Sequence, residues 1–520
     1  MRRFAFICTG LGMCFALLSC ATPPPPPPPA EVWPTYGWLS STPEAQGIDS
    51  TALADAVEML KAKNIPIHSL LVERNGHVVL DAYFFPFADN EAHDVASITK
   101  SVTSTLVGIA MGEHASIDVN APVVSMLPEE QVTDPRKAQI TLSQLLSMTS
   151  GLDCADDQGR SVLAQMETSP HWTSYAFARP LTADPGSRFE YCAGNMHLVS
   201  ASLTRATGRS AFELAREKLF APLGITDVVW PADPDGISHG FADLRLEPRD
   251  LAKLGYLWLH DGRWDGAQVV PASYVESALA PHANVQPGVQ YGYGIWLYPG
   301  HTPYDFEANG RGGQRIIVVP QLSAVVVVTG GGMDANEVTP LLARAFASNS
   351  ALPANPEGDA RLAAAVSRAA AAPVSTATWT SSSPVMLSAL AGKTWFLPPN
   401  PLGVESLTLN FPSAGEASVH FGFADGSGED HPIGLDGSPR LSRNMGTGLP
   451  VAVLGRWAEG GFVLDYDEIA RINAYRLALT PLADGVSIHL TERSGLANMT
   501  LTATGEPPAQ RVAGLSGSHG

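Results

Sequence analysis

With 520 residues and 45% hydrophobic content, the chain can bury a large core and supports two or three domains. Its 32 basic and 51 acidic residues leave a formal charge of −19, with no basic footprint for a phosphate backbone, which argues against a nucleic-acid partner. No His-Glu-x-x-His or paired-cysteine motif points to a metal, and no cofactor is expected.

Arg2 and Arg3 precede an apolar stretch from Phe4 to Leu18. It is too short to span a bilayer and reads as an export signal. It ends Leu17-Leu18-Ser19-Cys20, which resembles a lipobox, so residues 1–20 are expected to be a lipoprotein signal peptide with Cys20 lipidated. Residues 21–32 follow as a tether, stiffened by the seven-proline run Pro23–Pro29. The expected location is the periplasmic face of the outer membrane, held by the lipid; the alternative is a soluble periplasmic protein behind an ordinary signal. Cys8 and Cys14 leave with the signal. Cys154 and Cys192 then remain beside Cys20, and an oxidising compartment favours their pairing over two free thiols.

The first ordered body is expected over 33–350. Asp49-Ser50 can cap a helix running to about Lys63. Ser69–Glu73 and His77–Phe84 flank Asn75-Gly76, a two-residue hairpin signal. A helix should begin near Ser97 and reach Gly108 or beyond. A second hairpin joins Gln314–Val319 to Ala324–Thr329 around Pro320. Strands at both ends with helices between imply an α+β fold, with one antiparallel sheet assembled from the two ends. Residues 351–383 are rich in Ala, Pro and Ser and read as a linker, within which Asp359–Ala372 can form a short helix. From 384 to 508 short alternating runs, such as Ser406–Phe411 and Val486–Leu490, predict a small all-β barrel or sandwich. Residues 509–520 read as a disordered tail.

One spacing carries chemistry. In Ser97-Ile98-Thr99-Lys100 the hydroxyl and the amine fall on one helix face. A serine needs a base within reach, and a lysine can serve where burial lowers its pKa. By itself the pattern is close to chance, and the context decides. Ser97–Gly108 resembles the first motif of the serine β-lactamase and penicillin-binding protein superfamily. It is most similar to the class C-like branch that holds esterases, D-aminopeptidases and 6-aminohexanoate-dimer hydrolases. Ile140–Leu152 looks like that branch's helix-and-turn segment, and Pro185–Gly194 like its second motif, with Tyr191 as the catalytic tyrosine. Pro248–Gly255, Tyr291–Gly294 and Gly310–Gln314 add further matches, the last to the third motif.

The resemblance implies a β-lactamase/transpeptidase-like fold over about 40–350. It implies Ser97 as nucleophile, with Lys100 and Tyr191 sharing the proton transfer; which of them is the base stays open. The Ser97 N–H and one from Arg311, Gly312, Gly313 or Gln314 would form the oxyanion hole. A Cys154–Cys192 bond would brace the tyrosine segment. Two departures bear on substrate. Ala193 stands where β-lactamases carry Asn, with Asn195 two residues later, and Arg311-Gly312-Gly313 replaces Lys-Thr-Gly or His-Thr-Gly. Arg311 is either a carboxylate-gripping residue or a surface cation. The expected activity is hydrolysis of an amide or ester, on a small-molecule or peptide-like substrate, through an acyl-enzyme on Ser97. The alternatives are a penicillin-binding sensor that is acylated without turnover and a true β-lactamase. Gly236–Gly240 formally matches a Gly-x-Ser-x-Gly elbow but lacks the strand–turn–helix setting that the elbow needs.

Overall fold

A computed structural model of the chain describes residues 32–89, 91–113, 117–155, 161–374, 384–413, 415–495 and 497–505. The expected signal peptide with Cys20, the tether up to residue 31 and the tail from 509 lie outside the described residues. Among the described residues no helix is long and apolar enough to cross a membrane.

Helix α1, Ser50–Ala62, starts where the sequence places its cap: the Asp49 carboxylate accepts the N–H groups of Thr51 and Ala52 at 2.8 and 3.2 Å. The central sheet has nine strands: β1 Leu39–Ser40, β2 Ile67–Arg74, β3 His77–Tyr83, β4 Ala283–Gln286, β5 Val289–Tyr291, β6 Trp296–Tyr298, β7 Asp305–Gly310, β8 Gln314–Val319 and β9 Ala324–Gly330. Their order is β1-β3-β2-β9-β8-β7-β6-β5-β4. Asn75 and Gly76 both take positive φ, 53° and 82°, which closes the β2–β3 hairpin. The two ends of the body meet where β9 pairs antiparallel with β2. The sheet is antiparallel apart from the short β1, which runs parallel to β3.

The run Ala324-Val325-Val326-Val327-Val328 shows how the body is layered. Successive side chains of a strand point to opposite faces, so an unbroken apolar strand needs cover on both. Val325 and Val327 enter one core cluster, with α2 (Ile98–Glu113), α3 (Ala193–Thr207) and α4 (Pro248–Leu259). Val326 and Val328 enter another with α1 and α5 (Pro356–Ala370), a helix inside the stretch read as a linker. Leu362, Ala365 and Ala369 of α5 are buried against α1 and the sheet, so this part of 351–383 packs as core of the first body.

Helix α2 is buried along Ile98–Ala110. Its polar side chains are bonded, as burial requires: Thr99 donates to Ala96 O, Ser101 to Gly294 O and Thr103 to Gly240 O, at 2.6, 2.6 and 2.9 Å.

The C-terminal region is all-β. One sheet holds β10 Thr394–Phe396, β11 Val404–Ser413, β12 Glu416–Phe423 and β13 Gly428–Ile433; the other holds β14 Arg440–Arg443, β15 Pro450–Ala458, β16 Gly461–Glu468, β17 Ala474–Leu482, β18 Gly485–Glu492 and β19 Asn498–Ala503. The sheets join at both seams. Gly434 pairs with Leu454, and Phe396 exchanges two backbone hydrogen bonds with Thr504, at 2.8 and 3.1 Å. The result is a barrel with its own apolar interior, including Leu407, Phe421, Val453, Phe462, Leu477 and Ile488. Barrel and first body belong to one compact unit from residue 33 on. They meet in a small apolar cluster of Tyr83, Phe87, Leu449, Ala452, Ile469 and Ala470.

Leu362→Ala tests whether α5 is integral to the first body. Removing this buried side chain should cost about 2–4 kcal/mol, read as a lower urea midpoint of the first transition.

Candidate active site

The turn that carries Ser97 is held from below. The Asp94 carboxylate accepts the Ala96 N–H at 2.8 Å, and Ala96 sits at φ 46°, a left-handed conformation rare outside glycine. This strained turn leads into α2 and sets Ser97 immediately ahead of its first residue. Among the described residues the Ser97 N–H has no hydrogen-bond partner. It therefore lies at a helix N-terminus, where partial positive charge favours an anion.

One helical turn on, Lys100 is 3% exposed. Its Nζ donates to Ser97 Oγ at 2.8 Å and to the Phe241 carbonyl at 2.9 Å. Burial pushes its pKa down to about 7, with Asp243 acting in the opposite sense. At neutral pH much of Lys100 is an uncharged amine that can accept the serine proton.

Tyr191 comes from the second motif. The Thr141–Gln144 capping box starts the short helix before the Ser147–Gly151 turn. Met148 O then accepts the Glu190 N–H at 2.8 Å, which brings the next residue, Tyr191, to the site. Lys100 Nζ lies 4.8 Å from the centre of the Tyr191 ring. Tyr191 is 38% exposed as a residue, yet the enclosure of its hydroxyl raises the phenol to about 12, against a hydrogen bond with Ser97 that lowers it. Lys100 and Tyr191 thus move apart, the lysine down and the tyrosine up. Cys154 and Cys192 form a disulfide that ties the segment after Gly151 to the residue beside Tyr191. Both cysteines line the pocket.

That pocket has a volume of about 500 Å³. Ser97, Lys100 and Tyr191 share it with an apolar side formed by Leu152, Val162, Leu163 and Met166. Asp94, Glu167 and Asp243 also line it. Burial raises Asp94 to about 6 and moves Glu167 in the same direction. Arg179, on the same wall, is ion-paired with Asp153 at 2.7 Å.

Of the third-motif turn, only Arg311 reaches the pocket wall. Its Nη2 donates to Asn473 Oδ1 at 2.8 Å and its Nη1 to Ser494 Oγ, both in the barrel. Gly312 has φ 79°, and a Cβ there would lie 2.2 Å from Ile472 Cγ2, so no side chain fits. Gly313 is packed against Met333. Gln314 is fully buried; its amide donates to Gly330 O at 2.6 Å and accepts from Gly330 N at 3.1 Å, pinning β8 to β9. Its side chain is structural. Asn195 does not substitute for the missing asparagine: it is 1% exposed, accepts the Ser150 hydroxyl at 2.8 Å and does not line the pocket. Ser238 of the formal elbow is buried and accepts the Phe212 N–H at 3.1 Å.

Sequence reasoning missed Asp94, the Phe241 carbonyl, Asp243 and Ile472. Asp94 stands three residues before Ser97 and was open to notice as a cap. A backbone carbonyl has no sequence signal, and Ile472 is 375 residues from Ser97 in a separate barrel. Among the described residues no cluster of His, Cys, Asp and Glu has metal-site geometry.

The sequence model of the Beta-lactamase family matches residues 53–348, more than half of the chain. A 6-aminohexanoate-dimer hydrolase of Paenarthrobacter ureafaciens is 28% identical over 281 residues, 50% of this chain and 71% of that protein. A D-aminopeptidase of Cereibacter sphaeroides is 26% identical over 300 residues, 51% of this chain but only 55% of that protein. Among solved structures, a candidate β-lactamase from Bacteroides dorei superposes with a TM-score of 0.50 at 20% identity, over 58% of this chain and 100% of the other, which speaks to fold alone. The first body, with its serine-and-lysine helix beside an antiparallel sheet, is the part that the family match covers, and on this evidence the chain belongs to the β-lactamase family, among whose members similar to it are hydrolases.

Proposed function

We propose that the protein is a serine hydrolase that cleaves an amide or ester through an acyl-enzyme on Ser97. The observation that carries this reading is the 2.8 Å contact between Lys100 Nζ and Ser97 Oγ, with the lysine held near pKa 7 by burial. Neutral Lys100 takes the hydroxyl proton as Ser97 Oγ attacks the carbonyl carbon. The Ser97 N–H donates to the developing oxyanion; one such donor typically supplies about 3–4 kcal/mol. Tyr191 is protonated at neutral pH, and its proton passes to the leaving group while Lys100 reprotonates the phenol. Water then attacks the acyl carbon, Lys100 accepts its proton, and Ser97 regains one as the acid departs.

The hydrolase names of the relatives support an amide or ester as the scissile group. Ala193 in place of the β-lactamase asparagine supports such a target over a β-lactam. The Cys154–Cys192 disulfide supports export to an oxidising compartment, with the lipid-anchored form as the proposed state.

A fluorophosphonate probe on the full chain should label Ser97, and Ser97→Ala should abolish labelling and lower kcat on p-nitrophenyl acetate by at least ~10³-fold. Labelling without turnover identifies an acylated sensor; no labelling removes the acyl-enzyme reading. The labelling rate should follow the neutral form of Lys100. It should fall about tenfold per unit below pH 7 and level off above it, with apparent midpoint about 7. A midpoint near 10, the ordinary range of both lysine and tyrosine, would show that Lys100 is not a neutral base at pH 7.

A further inference from the structure

We propose that His93, held in one tautomer by His68, is a positioning residue for Ser97: its Nδ1–H fixes the peptide unit that leads into the strained Ala96. Neither ring lines the catalytic pocket, and the role rests on the acyl-enzyme reading above.

Three successive peptide units run up to Ala96, and each is pinned. The Asp94 N–H donates to Ala470 O of the barrel at 2.9 Å. The next unit is gripped on both edges. His93 Nδ1 donates to the Asp94 carbonyl at 2.6 Å, and the Val95 N–H donates to Leu244 O at 3.0 Å. In the third unit the Ala96 N–H donates to Asp94 Oδ1 at 2.8 Å. Ala96 itself has φ 46°. A residue other than glycine keeps such a conformation only where its surroundings over-determine it. The His93 bond is the one of these four in which a side chain donates, so it can be removed with the backbone and Asp94 left as they are.

The two imidazoles have one consistent arrangement of protons. A carbonyl oxygen only accepts, so His93 Nδ1 carries the hydrogen and its Nε2 is a lone pair. His68 Nδ1 lies 2.8 Å from that Nε2 and is therefore the donor. His93 is fully buried and His68 is 4% exposed. Phe87 packs on both rings, at 5.7 Å from His68 and 5.3 Å from His93 between ring centres. Burial keeps both imidazoles uncharged at neutral pH, with His93 pushed down to about 4. The path from His68 through His93 to Asp94 is thus directional. Without the His68 donor, His93 is free to take the other tautomer, which sets a lone pair against the Asp94 carbonyl.

The test uses the full chain and two readouts: the rate of fluorophosphonate labelling of Ser97, and the urea midpoint. His93→Asn keeps an N–H donor at the Nδ1 position but strands the buried His68 N–H, whereas His93→Gln keeps an acceptor for His68 and loses the donor to Asp94 O. His93→Asn should label within ~3-fold of wild type, and His93→Gln at least ~10-fold more slowly, because small displacements of a reacting group are costly. The urea midpoint of His93→Asn should be no higher than that of His93→Gln, since an orphaned buried N–H costs more than an under-satisfied carbonyl. Equal labelling rates, or rates in the order of the midpoints, show a merely structural pair and overturn the proposal. His68 supplies a second contrast. His68→Leu should slow labelling at least ~5-fold and His68→Asn, which keeps its donor, should restore it to within ~2-fold of wild type; unchanged labelling in both overturns the tautomer argument. A wild type that is not labelled overturns the acyl-enzyme reading and this inference with it, whereas a labelled wild type with indifferent variants overturns this inference alone.

Discussion

A lysine amine enclosed by protein and shared between a serine hydroxyl and a backbone carbonyl is the arrangement on which the rest of the site depends. Lys100 donates to both Ser97 Oγ and Phe241 O. Burying an ammonium is costly unless its donors are satisfied, and the cost appears as a lowered pKa. A nearby carboxylate in direct contact would undo this by favouring the charged form. Asp243 acts in that direction, but burial is the larger influence. The packing around α2 is thus also what lowers the Lys100 amine toward neutrality.

That packing follows from the layering of the first body. α2 lies on one face of the sheet with polar side chains bonded to surrounding carbonyls, so it cannot slide or rotate without stranding them. The sheet's other face is covered by α1 and α5, from opposite ends of the first body's sequence. The disulfide and the Met148–Glu190 backbone bond then bring Tyr191 to the helix. The barrel closes the arrangement by holding the Asp94 turn and the Arg311 turn at once. A shift of the barrel would move both turns, which ties the C-terminal region to the geometry around Ser97.

Much of this is legible in the sequence. Hairpins declared themselves through Asn75-Gly76 and the apolar runs, because a two-residue turn needs positive φ and a doubly covered strand needs an unbroken apolar sequence. The start of α1 was written in Asp49. The Ser97–Lys100 spacing places hydroxyl and amine on one helix face whatever surrounds them. Gln314 shows the limit. Its motif position offers its backbone N–H as a candidate oxyanion donor, but nothing local records that its side chain is fully buried and bonded to Gly330. Side-chain direction at a strand's first residue depends on the neighbouring strand, which lies far along the sequence.

The sequence by itself determined the fold class, the serine-and-lysine pair and the tyrosine segment, because these rest on local periodicity, turn chemistry and fixed spacings along one helix or one turn. Only the tertiary structure decided that Lys100 is desolvated, that Tyr191 faces it, that Asp94 props the Ser97 turn and that Arg311 is held by Asn473 and Ser494. Burial and long-range hydrogen bonds are properties of elements brought together from hundreds of residues apart, and no local pattern records which neighbour will arrive.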